Sequence, residues 1–430
     1  MMRVLVVGAS GLIGSYVVSR LLQDRHEIVG AGRDVAAAER RQPLVRWVRL
    51  DLATTRRDRW RELLADVDAV VNCAGALQAS PRDDLRAVHL DGLLELATAC
   101  DAVGVRRFVQ ISAAGVETGR GEFSRTKLEA ESALIRLDLD WVILRPGLVL
   151  APAAFGGSAL LRGLAGFPFV IPAVYSESVV QVVSIDDVAE AVSRCVLPDG
   201  PSKIVCELAA RSPTRLADVL IALRAWLGIE PARVLALPAG LGHVAALVAD
   251  GLAWLGWQSP MRSAAIEQLA NGVRARSDDA PHLLGFAPRE LGDILFRWPS
   301  GVQERWFARL YFIKPLVLAT LASFWVISGV IGLLRQGAAS AVLTEAGVPE
   351  ALAHSLVFAG AVADVAIGLL ICAPRTAPFA LGASMIVTAV YLAGATGLRP
   401  ELWVDPLGPL IKAVPVVLLA IVGLALMDDR

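Results

Sequence analysis

Over its first 150 residues the chain alternates short β-branched and apolar runs with stretches in which apolar positions recur every three or four residues. The runs Arg3–Val7, Glu27–Ala31, Val45–Leu50, Ala69–Cys73, Arg107–Ile111 and Trp141–Leu144 read as strands, with helices between them. Runs such as Ala69–Cys73 lack polar alternation, which is the pattern of strands covered on both faces. A strand–helix rhythm of this kind predicts an α/β fold with a doubly wound parallel sheet. Between Ala151 and Pro299 the rhythm loosens. A helix is expected at Asp187–Leu197, a strand at Ile204–Leu208, and helices at Thr214–Leu227, Leu241–Trp257 and Met261–Arg274, together a smaller substrate-side lobe. The Leu241–Trp257 stretch carries His243 and Asp250, and its glycines and apolar residues recur at helical spacing, so it reads as an amphipathic helix rather than a membrane span.

From Ile313 the pattern changes to four long apolar segments, Ile313–Leu334, Ala351–Cys372, Ala377–Leu398 and Pro409–Met427. Each is long enough as a helix to cross roughly 30 Å of hydrocarbon, which predicts an all-α domain of four spans with the lipid bilayer as partner. Composition agrees: the chain is 55% hydrophobic and 19% charged, with a mean hydropathy of +0.56. Only 12 of its charged residues lie beyond Pro315. Arg297, Arg305, Arg309 and Lys314 precede the first span and Arg375 sits in the second loop, against Arg335 and Arg399 in the other two. That excess places the N-terminus inside, and an even span count places the C-terminus there too, as in a multi-pass protein of the cell inner (plasma) membrane. The N-terminal apolar run is too short for a signal-peptide core. A net charge of -1 argues against nucleic acid as partner. The five cysteines form no CxxC pair and fit reduced thiols, and the five histidines make no metal-spaced pair, so no metal is expected.

Candidate chemistry starts at Gly8-Ala9-Ser10-Gly11-Leu12-Ile13-Gly14, which follows the first strand and opens the first helix. In that setting the first glycine makes the turn, the second admits a pyrophosphate and the third lets helix and strand pack closely, with the diphosphate on the helix N-terminus. The GxxGxxG spacing resembles that of the extended and atypical short-chain dehydrogenase/reductases. Further landmarks follow in that family's order: Asp51-Leu52, Asn72-Cys73-Ala74-Gly75, Ile111-Ser112-Ala113-Ala114, Leu144-Arg145-Pro146-Gly147, Ser184 to Ala189, and Leu284 to Pro288. The resemblance covers about residues 1–295 and implies an extended Rossmann fold in which Asp51 and Leu52 lie near the adenine and Cys73, Ala74 and Gly75 line the cofactor. After the second strand stand Arg33 and Asp34; a guanidinium suits a 2′-phosphate, which favours NADP over NAD, while Asp34 keeps NAD possible.

The resemblance also implies a tyrosine acid and a lysine four residues later, for hydride exchange between nicotinamide and a carbonyl or alcohol. Here the segment reads Phe123-Ser124-Arg125-Thr126-Lys127. Lys127 is one of four lysines beside 37 arginines and is expected at the nicotinamide ribose; Ser112 matches the substrate-polarising hydroxyl. Phenylalanine has no proton to give, and Ser112, Ser124 and Tyr175 are the candidate hydroxyls to stand in. Three functions compete: an NADP(H)-dependent oxidoreductase or epimerase acting on a lipophilic substrate; a non-catalytic nucleotide-binding subunit or redox sensor of a membrane complex, the case of the nucleotide-binding accessory subunit of mitochondrial complex I; or a transport or electron-transfer role residing in the spans, with the front domain regulatory.

The segment Leu402 to Lys412, with its WxDPxGxxxK pattern, resembles the DoxX-like four-helix membrane family over about residues 312–427. Asp405 is expected to cap the last span and Lys412 to snorkel. Asp364 lies mid-span, where an ionisable group needs a partner; Ser328 and Thr388 are the hydroxyls expected to supply one. The domains expected are therefore residues 1–295 with a lobe at about 151–295, a linker at 296–312 and a membrane domain at 313–427.

Overall fold

The computed structural model describes residues 1–80, 84–119, 121–257, 259–406 and 408–427. The chain forms two compact units, Met1–Asp250 with Ser259–Ala308, and Gly251–Gln258 with Arg309–Arg430.

In the first unit, seven strands make one parallel sheet: β1 (Arg3–Val7), β2 (Glu27–Gly32), β3 (Arg46–Arg49), β4 (Ala69–Asn72), β5 (Arg107–Ile111), β6 (Asp140–Pro146) and β7 (Ile204–Leu208), in the order 3-2-1-4-5-6-7. Helices α1 (Leu12–Gln23), α2 (Gly92–Val103), α3 (Glu122–Leu134) and α4 (Ile185–Val196) cover its faces. Successive side chains of a strand point to opposite faces. In β1, Val4 and Val6 join a layer with Val17, Val18 and Leu21 of α1 and Val188 and Val192 of α4. Leu5 and Val7 join a second layer with Trp60, Leu93 and Leu96 of α2, and Ala130 and Leu134 of α3. Both faces are dry, which is why these strands read as continuous apolar runs.

The Ile204–Leu208 strand belongs to this sheet and not to the lobe. It pairs with β6 from Ile204–Val142 to Leu208–Pro146, and Cys206 and Leu208 are buried with the α1 and α4 layer. The lobe has its own core, with Leu161, Ile171, Leu220, Leu295 and Trp298 among its members.

In the second unit, α5 (Ile313–Leu334), α7 (Glu350–Ile371) and α8 (Ala377–Leu398) have 22 residues each and are long and apolar enough to cross a membrane. The fourth expected span is the shorter helix α9 (Pro409–Ala425), of 17 residues and about 26 Å. Helix α6 (Gln336–Glu345) fills the first loop, where none was expected. Backbones of α5 and α7 meet through small residues: a Cβ at Gly329 would lie 2.5 Å from the Ala361 carbonyl oxygen, and one at Gly368 2.8 Å from that of Ala322. Asp364 is buried among these helices and accepts hydrogen bonds from Ser328 Oγ (3.0 Å) and Tyr391 Oη (2.8 Å). Thr388, the other hydroxyl expected there, bonds instead to the Ser384 carbonyl of its own helix (2.7 Å). Helix α9 starts at Pro409 after Gly408, whose left-handed conformation (φ 57°) makes the turn and whose amide donates to the Asp405 carbonyl (2.8 Å). Leu407 of that segment lies outside the described residues.

Candidate dinucleotide site

The strand order reverses between β1 and β4, which opens a crevice at their C-terminal ends. The glycine loop lies there, and each glycine has a distinct steric reason. Gly8 has φ +73° and faces the next strand end so closely that a Cβ would lie 2.7 Å from the Ala74 nitrogen. At Gly14 a Cβ would fall 2.2 Å from the Gly8 carbonyl oxygen, so α1 folds directly onto the loop that precedes it. Gly11 is the N-cap of α1 and makes no side-chain cap hydrogen bond at the helix N-terminus, the end that favours an anion. Leu12 and Ile13 are half-buried against the lobe core, and Ser10 Oγ would lie 3.0 Å from a Cβ at Gly32, at the end of β2.

Around this loop the other expected residues gather at the same sheet edge. Asn72 is buried at the end of β4; its Oδ1 accepts from the Ala74 amide (3.1 Å) and its Nδ2 donates to Gln110 Oε1 (2.9 Å), which fixes the bend through Cys73, Ala74 and Gly75. Desolvation pushes the Cys73 thiol up to about 12, so it stays neutral. Arg33 and Asp34 follow β2 on the exposed surface. Asp51 is half-buried and accepts from the Ala53 amide (3.0 Å), while Leu52 is buried with its carbonyl against Gly92 at the start of α2.

The expected catalytic positions lie just after β5, at Ser112, and on α3, at Phe123 and Lys127. Lys127 is buried and donates from Nζ to the Ile111 carbonyl (3.0 Å), and burial lowers its pKa to about 8. Helix α3 is held one turn further on, where Arg145 on β6 grips Glu131 with two hydrogen bonds (3.1 and 2.5 Å). Ser112 is 6% exposed, and its Oγ has no hydrogen-bond partner among the described residues. A buried hydroxyl with no protein partner is available to a ligand atom or a water. The helix end, the glycine cradle and this hydroxyl together fit an NAD(P) molecule.

Sequence reasoning missed His89. It lies in a single π-helical stretch, Ala87–Asp91, just before α2, a local irregularity that helical spacing does not reveal. Its Nε2 accepts from the Ala76 amide (3.2 Å), its Nδ1 is 2.8 Å from Thr126 Oγ1, and its ring meets Phe123 edge-on at 5.6 Å. Desolvation and the Lys127 charge lower its pKa to about 3, so it is neutral, donates from Nδ1 to Thr126, and has no proton left for a substrate. Phe123 and Ser124 line a cleft of about 220 Å³ with Leu77, Gln78, Ala114 and Glu267. Tyr175 is not among its walls. No cluster of three or more metal-ligating side chains occurs among the described residues.

Residues 8–196 match the NAD(P)H-binding family, and residues 322–421 the DoxX-like family. Dihydroflavonol 4-reductase of Zea mays is 34% identical over 128 residues, 26% of this chain and 34% of the relative. Ceramide reductase of Caulobacter vibrioides is 28% identical over 199 residues, 45% of this chain and 61% of the relative. The chain thus spans between a third and three fifths of the length of these curated relatives. Among solved structures, UDP-glucuronic acid 4-epimerase of Bacillus cereus in complex with NAD aligns with a TM-score of 0.55 at 17% identity, covering 72% of this chain and 100% of that one. The NADPH-dependent quinone oxidoreductase of Escherichia coli complexed with NADPH aligns with a TM-score of 0.53 at 18% identity, covering 68% and 98%. The fold is that of the dinucleotide-binding Rossmann proteins. The chain thus joins a stretch similar to the NAD(P)H-binding family, residues 8–196, to a DoxX-like stretch, residues 322–421.

Proposed function

We propose that the first unit binds NADP(H) and that the protein, anchored by its apolar helices in the inner membrane with both termini cytoplasmic, reduces a lipophilic acceptor whose reduced form is a stable anion, a quinone being the simplest example. The observation that carries this reading is a full dinucleotide cradle with a phenyl ring where the acid would stand. Bound nicotinamide would supply a hydride. A simple carbonyl that accepts one becomes an alkoxide and needs an acid at its oxygen in the transition state. A quinone that accepts one becomes a hydroquinone anion with delocalised charge, and water protonates it afterwards.

Each residue then has a task that needs no acid. The glycine loop and the N-terminus of α1 receive the diphosphate. Arg33 takes the 2′-phosphate in a two-bonded fork. Lys127 holds the ribose, Ser112 donates its free hydroxyl to the acceptor oxygen, and Phe123 offers an apolar face to a ring. A second reading, a nucleotide-binding subunit or sensor in a membrane complex without turnover, is favoured by the internal hydrogen bonds that occupy His89 and Lys127. NADPH oxidation by the full chain in lipid nanodiscs separates the two. We expect oxidation with a short-tailed quinone, none with an aldehyde, and at least tenfold weaker NADPH binding in Arg33→Ser with NADH binding unchanged. Tight NADPH binding without quinone-dependent oxidation selects the second reading, and no binding of either dinucleotide ends both.

A further inference from the structure

The helix Ala239–Trp254 is built inside out. Its inward stripe consists of small residues, Gly242, Ala246, Ala249 and Ala253, and a Cβ at Gly242 would lie 2.9 Å from the Val174 methyls. Its acidic side chain, Asp250, also turns inward, where it accepts from Gln78 Nε2 (2.8 Å), Arg262 Nε (2.9 Å) and Ser263 Oγ (2.5 Å). The large apolar side chains point the other way: Leu241, Val244, Leu247, Val248, Leu252 and Trp254 are between 42% and 80% exposed. The amphipathic reading of this stretch predicts the reverse, an apolar stripe against the core. In water a continuous apolar face of this kind marks an interaction surface.

We infer that this helix lies along the membrane–water interface with its apolar face among the acyl chains; the inference rests on the membrane-crossing reading of the second unit. Lipid is favoured over a protein partner by the course of the chain. The end of the helix and the residues just past it, Gly251–Gln258, belong to the second unit, before the chain returns to the first at Ser259. One turn past the helix, Trp257 Nε1 donates to the Cys372 carbonyl (2.7 Å), and Cys372 directly follows α7. The chain at Trp257 is therefore fixed to the end of a membrane-crossing helix. The side chains agree: the exposed face is Leu and Val with Trp254 at its end, and no Lys or Arg occurs in the helix. The polar side of the same helix holds the rim of the cleft, since Gln78 and Ser263, both bonded to Asp250, are among its walls.

The test uses the full chain in phosphatidylcholine nanodiscs with the exposed Cys372 replaced (C372S) and one spin label attached through Leu247→Cys, Ile386→Cys or Ile221→Cys. Ile386 is an exposed residue of α8, and Ile221 an exposed residue of the lobe. We expect the labels at 247 and 386 to be relaxed several-fold more by oxygen than by a water-soluble nickel chelate, with 247 the shallower, and the label at 221 to show the opposite. Relaxation of the 247 label by nickel while the 386 label stays lipid-exposed overturns the inference and leaves the spans standing. A 247 label shielded from both reagents overturns it in favour of a protein partner or a second copy. A 386 label relaxed by nickel removes the membrane reading itself.

Discussion

The two units use apolar side chains in opposite directions. In the first, Leu93, Leu96, Phe108 and Trp60 are wholly buried between sheet and helices. In the second, Leu316, Ile327, Leu356 and Ile386 are more than half exposed, while Gly329, Gly368, Ala361 and Asp364 fill the helix contacts. Water drives the first arrangement by expelling large apolar groups. The second packs through close backbone approach and hydrogen bonds between helices, the pattern suited to hydrocarbon, which gives no such drive. Apolar content alone therefore says little about what packs where.

The largest expected effect is at the glycines, and it differs between the units. Gly14→Val collides with the Gly8 carbonyl and should weaken NADPH binding more than 100-fold by fluorescence titration. Gly368→Val collides with Val326 and Ala322 and should lower the thermal midpoint in detergent with NADPH affinity unchanged. Equal loss of binding in both variants would erase the distinction between the units. Next come the leucines: Leu93→Ala should cost about 2–5 kcal/mol in denaturant unfolding, and Leu356→Ala no more than about 0.5 kcal/mol, as at an exposed position.

Smaller is the polar contact inside the bundle. Asp364→Asn retains a donor and an acceptor for Ser328 and Tyr391 and should keep expression and thermal midpoint near the parent. Asp364→Leu should lose about 1–2 kcal/mol, the worth of interhelical hydrogen bonds. Smallest is a pH effect confined to the first unit. His89 is neutral down to about 3, so NADPH affinity should be flat between pH 5 and 7. Lys127 loses its charge above about 8, so affinity should fall several-fold through that pH, and Lys127→Gln should abolish the break. Folding stability responds with the other sign: between about 8 and 10.5 the unfolded chain holds more protons at this lysine than the folded one, so its contribution rises with pH.

The sheet was legible because strands such as β1, β2 and β4 read as nearly continuous apolar runs, and the glycine loop because its spacing has a steric meaning at each position. What was not legible depended on partners distant in sequence. Ile204–Leu208 looks the same whether it ends a lobe or a sheet, and only its pairing with β6 decides. His89 sits in a π-helical stretch that breaks the spacing rule, and Tyr391 reaches Asp364 in place of Thr388, one turn away on the same helix. The Ala239–Trp254 helix shows the deepest limit: periodicity finds the two faces, but only the surrounding structure tells which one is turned inward.

Asp364 also bears on how the chain is made. The chain is made from its N-terminus, so α5 and α7 precede α8 and supply one hydroxyl, Ser328, to one carboxyl oxygen. The other oxygen is bonded only when Tyr391 follows, 27 residues later. Completion of the contact therefore waits on the third of the long helices.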